Sequence, residues 1–506
     1  MKNHLDVPLP DYYGQGGRLG KPAARELKES AYAHDCSQAP VLLEGISYAD
    51  LAHAMMLIRQ GVIPPEEGVT LLRGLLDLHD SQRNMEMDPS FGDVYNNREA
   101  ALKKMIGSTA GWLHAGRPRR EAVNIGYLIH VRRDLIDLMR SLITLASALA
   151  DQASRHAATF MPDQTYLHHA HPTSLGHYIL TYLYPIFRDL DRLKTGYLHV
   201  DMCPAGSGSV NGSRLPVDRN MLREYLGFHD MAVHTRDAMW QPDVPIEIIS
   251  AVVAMMVNVN RFSEELQLWS TLEYNMVDLP DEFCRASVIM PQKKNPYPMT
   301  YIRGLTGFLL GLTASFAAVG KTHSGNPDSR TFVYAELPEA ITKSAAALRL
   351  FTGIIAQLNP NTERMLELVR AGYANATDLA DVLMTGFKFD YRTAHQIIGL
   401  TVRKAIETGI PGSGIEASLV RSSAVEVTGQ DPDIRPEDIQ PATDPAAIVN
   451  SRKTIGGANP DRLAEMIASS TARLREARDW VEQASERNTS ALANLLEQAR
   501  IMARLQ

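Results

Sequence analysis

Hydrophobic residues recur every three or four positions over long segments of this chain, which is the period of one face of an α-helix. The clearest stripe runs through Leu128, Val131, Leu135, Leu138, Leu142, Leu145 and Leu149. Two further stripes comprise Ile302, Leu305, Leu309, Leu312 and Phe316, and Ile249, Val252, Val253, Met256 and Val259 in a helix that begins near Pro245. Alternating patterns typical of β-strands are nearly absent. The pattern therefore predicts an all-α protein with a bundle of long helices in its middle.

Interruptions of this pattern indicate how the chain is divided. Between about residues 201 and 244 prolines and glycines predict an irregular excursion between two bundle helices. After residue 372 the helical segments shorten, and the chain ends in a helix from about Asp461 to Leu505, broken near Ser490. A chain of 506 residues has room for about three domains. We predict an N-terminal helical domain at 1–115, a central bundle domain at 116–372 and a C-terminal helical domain at 373–506.

Composition narrows the class of protein. Hydrophobic residues make up 45% and charged residues 22%, as in ordinary globular proteins. The net charge of -7 and the scattered basic residues argue against a nucleic-acid partner. Three widely spaced cysteines fit a reducing cytoplasm. The N-terminus has no apolar signal region, and no uninterrupted run of 18 apolar residues predicts a membrane span.

The segment 286–295 carries the strongest candidate chemistry. It places Ser287, Lys293, Lys294 and Asn295 just before the helix that holds the Ile302 stripe. The start of a helix beside two ammonium groups favours an anion, because unpaired backbone N–H groups and the helix dipole add to the charge. Taken by itself, the same pattern also fits a solvated pair of lysines.

The order of residues in this segment resembles a known signature. Ser-x-x-Met-Pro-x-Lys-x-Asn is similar to the signature of the fumarase/aspartase superfamily, and Met-Pro-Gln-Lys-Lys-Asn-Pro to its argininosuccinate lyase version. Residues 113–119, 161–172 and 375–383 resemble three other regions of those lyases. The resemblance implies a three-domain, all-α fold whose central domains form a twenty-helix bundle in a homotetramer, with each active site assembled from three subunits.

The resemblance also implies a reaction and the residues that perform it. The reaction is β-elimination from a small dicarboxylate substrate, giving fumarate, without metal or organic cofactor. Ser287 is the expected base, with Lys293 stabilising its alkoxide, and Asn295 is expected to donate to a substrate carboxylate. Thr165 and Arg119 are expected to bind substrate. Flexible chain at 281–284 is expected to let the loop close over substrate.

The residues expected to protonate the leaving group differ from those of the argininosuccinate lyases. Their second-region histidine and the glutamate that acts with it are replaced here by Tyr166 and Thr300. Tyr166 is a candidate proton donor, although it can equally be a packing residue. His168, His169 and His171 lie close by; any of them can supply the proton, and hydrogen-bonded histidines are favoured over a metal site. We select Tyr166 and His168 as catalytic candidates.

The substrate-binding regions depart as well. Arg120 stands where the family has an asparagine, and it either adds a clamp for an acidic group or pairs with Glu121 or Asp93. Asn326 and Arg330 fall where the lyases contact the amine side of the substrate. Because the family's residues are missing there, argininosuccinate itself is not the expected substrate. The glycine-rich stretch at 204–211 is expected to lie close to bound substrate.

These residues lead to one hypothesis and two alternatives. The first is a lyase that acts on an N-substituted aspartate or related amino-dicarboxylate, reversibly releasing fumarate and an amine. The alternatives are an isomerase or cycloisomerase of the superfamily and a catalytically silent structural homologue. Retention of Ser287, Lys293 and Asn295 argues against the silent homologue.

Overall fold

A computed structural model describes residues 22–324 and 328–504 of the chain. It is 72% helical with little strand, which confirms the predicted all-α class. In chain order, the α-helices are α1 Arg25–Leu27, α2 Ala33–Ser37, α3 Ala39–Arg59, α4 Pro65–Ser81, α5 Val94–Ile106, α6 Arg119–Arg155, α7 Leu175–Val200, α8 Arg219–Tyr225, α9 Thr235–Met239, α10 Asp243–Trp269, α11 Tyr297–Gly320, α12 Thr331–Tyr334, α13 Glu336–Ala356, α14 Thr362–Ala371, α15 Ala376–Phe387, α16 Tyr391–Thr408, α17 Ala417–Thr428, α18 Pro436–Ile439, α19 Pro445–Ser451 and α20 Pro460–Met502.

Short strands occur only as pairs within the described residues. They are β1 Phe160–Thr165 with β2 His168–Ser174, β3 Met202–Cys203 with β4 Asp230–Met231, β5 Val277–Asp278 with β8 Asn359–Pro360, and β6 Arg285–Ala286 with β7 Lys294–Asn295. The β3–β4 pair is parallel, and the other three pairs are antiparallel. These pairs lie in the connections between helices, where they fix the loops.

The helices α6, α7, α10, α11 and α13 pack side by side as the central bundle. All seven leucine and valine residues of the stripe from Leu128 to Leu149 are buried in α6, as their period predicts. Four of the five residues of the second stripe, from Ile302 to Phe316, are buried in α11, and Leu312 is half-buried. The periodic patterns thus correctly located the bundle helices and their inner faces.

The buried residues form two hydrophobic cores. The larger core includes residues from α3 to α14 and also Leu463, Leu474 and Leu495 of α20. The smaller core draws on residues from Leu379 to Ala442. Helix α20 runs without a break through Ser490, contrary to the sequence expectation, and returns to pack on α3, α4 and α6. The predicted domain limits at 115 and 372 stay a prediction. The larger core includes residues on both sides of residue 115, and it also includes residues of α20, which lies after residue 372.

Within residues 22–324 and 328–504, three helices are long and apolar enough to cross a membrane by length and composition alone. They are α3, α10 and α11, with a mean hydropathy of 1.4, 1.4 and 1.5. In the most apolar part of each helix, 72%, 50% and 28% of the residues are buried inside the chain. The sequence expectation counted uninterrupted apolar runs and did not detect these helices. Helix α3 lies within the core, whereas most of the apolar surface of α11 is left uncovered.

Buried charges hold the start of α6 in place. The Asp50 carboxylate accepts from Arg117 Nη2 at 2.6 Å and from Arg98 Nη2 at 3.3 Å, and all three side chains are buried. Arg117 also donates to the Ala49 carbonyl at 3.0 Å. Each of the two buried guanidinium groups thus has a contact with a carboxylate, although one carboxylate does not neutralise both. The chain immediately before Arg119 is therefore anchored to α3.

Helices α3 and α6 meet through two glycines with no room for a side chain. A Cβ atom at Gly45 would lie 2.5 Å from Gly126 Cα, and one at Gly126 would lie 2.9 Å from the Ile46 nitrogen. Both obstacles are backbone atoms, which cannot move without shifting a helix. The close packing of α3 on α6 therefore depends on these glycines.

We predict that Gly126→Ala lowers the free energy of unfolding by about 1–3 kcal/mol, because the added methyl group overpacks the contact between two backbones. The matched control is Gly399→Ala, in the middle of α16, where an added Cβ meets nothing within 4 Å. That variant should gain about 0.5–1 kcal/mol from the better helix propensity of alanine. Urea unfolding of both variants measures the difference, and equal stability would contradict the packing argument.

Candidate active site

The predicted signature segment forms a hairpin directly before α11. Ala286 pairs with Lys294 and Arg285 pairs with Asn295, so residues 287–293 form the connecting loop. The Ser287 hydroxyl oxygen accepts a hydrogen bond from the Met290 N–H at 3.1 Å. Val288 and Ile289 next to it are almost completely exposed. The loop therefore presents Ser287 at the surface of its own chain, with apolar side chains that no other described residue covers.

The two lysines of the loop have different surroundings. Lys294 Nζ lies 2.8 Å from a carboxylate oxygen of both Asp278 and Asp281. Partial burial acts to lower the pKa of Lys294, but hydrogen bonds and charge from these aspartates raise it overall. Hydrogen bonding and charge from Lys294 in turn lower the pKa of Asp281. Lys293, in the same loop as Ser287, has no carboxylate within ion-pair distance among the described residues.

The base of the loop is fixed on both sides. Asn295 Nδ2 donates to the Arg285 carbonyl at 2.8 Å, which leaves its second N–H free for a ligand. Phe283 packs so tightly on α13 that a Cβ at Gly353 would lie 2.5 Å from its ring. Residues Asp281–Phe283, expected to be flexible, form a short 3-10 turn that Lys294 ties to β5. The closure of the loop stays a hypothesis.

The second region forms the β1–β2 hairpin, with Tyr166 and Leu167 at its tip. Both tip residues have positive φ, 55° and 61°. Tyr166 is 98% exposed, so it does not pack within its own chain. Thr165 and His168 face each other as the last pair of the ladder. The structure therefore brings three predicted residues together, Thr165, Tyr166 and His168, on one exposed tip.

The neighbouring histidines have separate surroundings. Burial lowers the pKa of His169, which lies beside Gly372. His171 lies near Asp378 of α15, and burial raises the pKa of that carboxyl although Arg452 and His171 act to lower it. Among residues 22–324 and 328–504, no group of three histidine, cysteine or acidic side chains is placed to hold a metal ion.

The first region lines a cavity of about 380 Å³ at the start of α6. Arg119 forms an ion pair with Asp93, and Arg120 Nη2 lies 2.8 Å from Asp328 Oδ2. The sequence alternative paired Arg120 with Glu121 or Asp93; its partner is instead Asp328, which sequence reasoning did not single out. Arg119 and Arg120 are each partly exposed, so their outer N–H groups remain accessible from the cavity.

Arg330 lies beneath this cavity. It is buried and donates to the carbonyl oxygens of Met239 and Arg120, with its guanidinium carbon 5.5 Å from the Trp240 ring centre. Burial lowers the pKa of Arg330. Burial also raises the pKa of Tyr334, which flanks it, to about 12. The contacts of Arg330 are thus those of a residue that supports the cavity wall. Asn326, the other residue predicted for the amine side, lies outside the described residues.

Several lining residues of the cavity were missed by sequence reasoning. Asp35 and Gln38 come from the segment before α3, and Tyr334 comes from α12. The side-chain oxygens of Gln38 and Tyr334 are buried without a hydrogen-bond partner. Asp35 accepts from the Thr331 hydroxyl at 2.7 Å, and burial raises its pKa. No motif marks these residues, because only the folded chain brings them together.

The glycine-rich excursion is held against α6 by Glu121. This buried carboxylate accepts from Gly206 N at 2.7 Å, Gly208 N at 2.9 Å and the Ser207 hydroxyl at 3.0 Å. Burial raises the pKa of Glu121, while these hydrogen bonds act to lower it. Since backbone N–H groups can only donate, both carboxylate oxygens serve as acceptors. The excursion therefore lies next to Arg120. That it also lies close to bound substrate stays a prediction.

The predicted site residues occupy opposite ends of the bundle. At one end, the arginine end, Asn124 Nδ2 at the start of α6 bonds the Ala238 carbonyl just before α10. At the other, the serine end, Gln152 near the end of α6 bonds the Ile355 carbonyl, and β5, which leads into the Ser287 hairpin, pairs with β8. Helix α6 has 37 residues, so at about 1.5 Å per residue the ends are about 55 Å apart. One copy of the chain therefore cannot bring both Arg119 and Ser287 to one substrate.

Comparison with known proteins identifies the family. A family model described as "Lyase" matches residues 51–311, and one described as "Argininosuccinate lyase C-terminal" matches residues 373–450. Argininosuccinate lyase of Methanoculleus marisnigri is 34% identical over 457 residues, which cover 89% of this chain and 91% of that protein. Argininosuccinate lyase of Methanothermobacter thermautotrophicus is 32% identical over 417 residues, covering 82% and 89%.

Solved structures agree with this assignment. A crystal structure of EDDS lyase in complex with formate has a TM-score of 0.86 at 29% identity, covering 96% of this chain and 97% of that one. An EDDS lyase variant with bound fumarate has a TM-score of 0.83 at 29% identity, with the same coverage. The 3-carboxy-cis,cis-muconate lactonizing enzyme of Pseudomonas putida, at 17% identity and a TM-score of 0.67, shares the fold.

The chain therefore belongs to the argininosuccinate lyase-like group of the fumarase/aspartase superfamily. It is a carbon–nitrogen lyase of the kind that releases fumarate, which sets aside the silent homologue. Members of this superfamily act on small dicarboxylates and are typically oligomeric.

We predict that Glu121→Gln lowers the free energy of unfolding by about 1–3 kcal/mol, because an amide N–H₂ replaces one acceptor and faces backbone donors in a buried site. The excursion should also become more sensitive to trypsin at Arg214, which is exposed. Glu224→Gln is the matched control, since the Glu224 side chain is 70% exposed. If the two variants match in both stability and proteolysis, Glu121 does not anchor the excursion.

Proposed function

We propose that this enzyme catalyses the reversible β-elimination of an N-substituted aspartate or related amino-dicarboxylate into fumarate and an amine. The observation that carries the proposal is the Ser287 hairpin, which holds a serine hydroxyl, an unpaired lysine charge and a free amide N–H before α11. The relatives named argininosuccinate lyase and EDDS lyase support it, and so does the fumarate bound to the EDDS lyase variant. Argininosuccinate itself is not proposed, because the amine side differs.

The proton step assigns the base to Ser287. As an alkoxide stabilised by Lys293, Ser287 takes the proton from the carbon next to a substrate carboxylate. The electron pair of that C–H bond moves into the carboxylate, and N–H donors such as that of Asn295 stabilise the added charge. When the pair returns, the carbon–nitrogen bond breaks and fumarate forms. The amine leaves with the bonding electrons.

The leaving amine takes its proton from the hairpin tip. Tyr166 replaces the family's histidine there, and its exposure leaves its hydroxyl free to reach a substrate held by another copy. His168, beside Thr165 on the same tip, is the second candidate donor. Thr165 and Arg119 bind the substrate carboxylates. The cycloisomerase alternative rests on a shared fold alone and gains no support from the site.

The separation of the site residues supports a homotetramer with shared active sites. Each site would combine the arginine end of one copy with the serine ends of others, because the two ends of α6 are about 55 Å apart. The apolar surface that α11 leaves uncovered offers an interface for this assembly, since exposed apolar patches mark contacts between chains.

We predict that Ser287→Ala lowers kcat for fumarate release by about 10²- to 10⁴-fold, the usual contribution of a positioned base. Binding of fumarate should be nearly unchanged, because the hydroxyl acts on the proton and not on the carboxylates. The control is Ser418→Ala, an exposed serine in the C-terminal region. Turnover within a few fold of the parent enzyme would exclude Ser287 as the base.

We predict that mixing two inactive variants, Ser287→Ala and Arg119→Ala, restores about one quarter of the parent activity once their subunits exchange. Some sites then combine an intact serine end with an intact arginine end from another copy. The control mixes Ser287→Ala with Lys293→Ala, whose defects lie in the same loop and which should not recover. No recovery in the first mixture would contradict a site shared between chains.

A further inference from the structure

A second cavity of about 360 Å³ adjoins the cavity at the arginine end. Arg120 lines both cavities, so its side chain stands between them. The wall of the second cavity comes from the glycine-rich excursion, from α9 and from the chain after α11. The lining residues with ionisable side chains are Arg120, Arg236, His234, His323 and Asp237.

The second cavity has an excess of basic groups. Its described lining holds two arginines and two histidines but one carboxylate, that of Asp237. Arg236 donates to the Ser324 hydroxyl at 3.3 Å and to the Ser324 carbonyl at 3.1 Å, both neutral acceptors. No carboxylate lies within ion-pair distance of Arg236 among the described residues. Asp237 instead accepts from Gln241 Nε2 at 3.0 Å.

The walls of this cavity are held in place. Glu121 anchors the excursion that supplies Ser209 and Val210, and the Thr235 hydroxyl donates to the Val210 carbonyl at 3.0 Å. The buried guanidinium of Arg330 lies against Trp240. The indole N–H of Trp240 is shielded from solvent and has no hydrogen-bond partner. The cavity therefore has fixed walls, with the unpartnered Trp240 N–H beside it.

The first cavity, by contrast, is balanced in charge. Its lining contains three arginines, Arg119, Arg120 and Arg330, and three aspartates, Asp35, Asp93 and Asp328. Since Arg120 lines both cavities, an amine group that extends into the second cavity from a dicarboxylate held at Arg119 passes Arg120. Beyond Arg120 it meets the unpaired charge of Arg236, which favours an anion.

We propose that the amine released by this enzyme carries an acidic group of its own, which Arg236 binds in the second cavity together with Arg120. This inference rests on the proposed function and makes Arg236 a specificity-determining residue. A carboxylate and a phosphate share the required chemistry, which is a compact anion that accepts several N–H bonds. A neutral amine of equal size leaves the charge of Arg236 without a partner.

The test uses the full-length enzyme in the direction of addition, with fumarate and pairs of amines that differ in charge. Glycine, β-alanine and 4-aminobutyrate are each compared with the matching carboxamide, and phosphoethanolamine with ethanolamine. We expect kcat/KM for an acidic amine to exceed that of its neutral partner by about 10- to 100-fold, as for a hydrogen bond to a charged group. Preference for phosphoethanolamine over the amino acids would identify phosphate as the acidic group.

Arg236→Gln should remove this preference while leaving the KM for fumarate unchanged. Arg214→Gln, an exposed arginine of the same excursion that lines neither cavity, should keep it. Equal use of acidic and neutral amines at every length, or an equal loss for both in Arg236→Gln, would overturn the inference but not the lyase. If mass spectrometry finds no adduct with any amine, the proposed function fails and the inference with it.

Discussion

The length of α6 is the constraint on which the rest of this enzyme depends. A single helix without a break is a stiff rod, and it fixes the distance between whatever is attached to its two ends. Here Arg119 and Arg120 lie in its first turn, and the Tyr166 hairpin follows its last turn. The proposed chemistry needs both, and it therefore makes activity depend on the association of copies of the chain. Glycines at the contact of α3 and α6 and the buried Asp50 cluster keep this rod in register with the rest of the core.

At the arginine end, the pairing of each arginine matters more than the number of arginines. Arg119 and Arg120 each have an aspartate partner, so the lining of the first cavity carries little net charge and both guanidinium groups stay oriented. A bound dicarboxylate competes with those aspartates for the same donors. Arg236, whose partners are neutral, has no such competition. The two cavities thus differ in how strongly they attract an anion, although both are lined by arginine.

The sequence predicted those features of the fold and the site that depend on residues close together in the chain. The stripe from Leu128 to Leu149 located α6 because burial of one face imposes a period on the sequence itself. The Ser287 loop was recognised because its chemistry is carried by neighbouring residues. Asp35, Tyr334 and Trp240 were not predicted, since they come from distant segments and only tertiary packing brings them to Arg330. The partner of Arg120 was missed for the same reason, and the continuity of α20 through Ser490 reflects packing on α3 and α6 that overrides local helix propensity.

The hairpin tip shows where this fold gives up stability. Tyr166 and Leu167 both occupy the left-handed region, which costs a residue with a side chain about 1–2 kcal/mol relative to the right-handed one. Asparagine and glycine would form the same turn with less strain. A search for more heat-resistant versions of this enzyme would therefore favour replacements at this tip. Such versions would lose the aromatic side chain that the turn displays, so tolerance to heat and the proton donation proposed for Tyr166 oppose each other at that position.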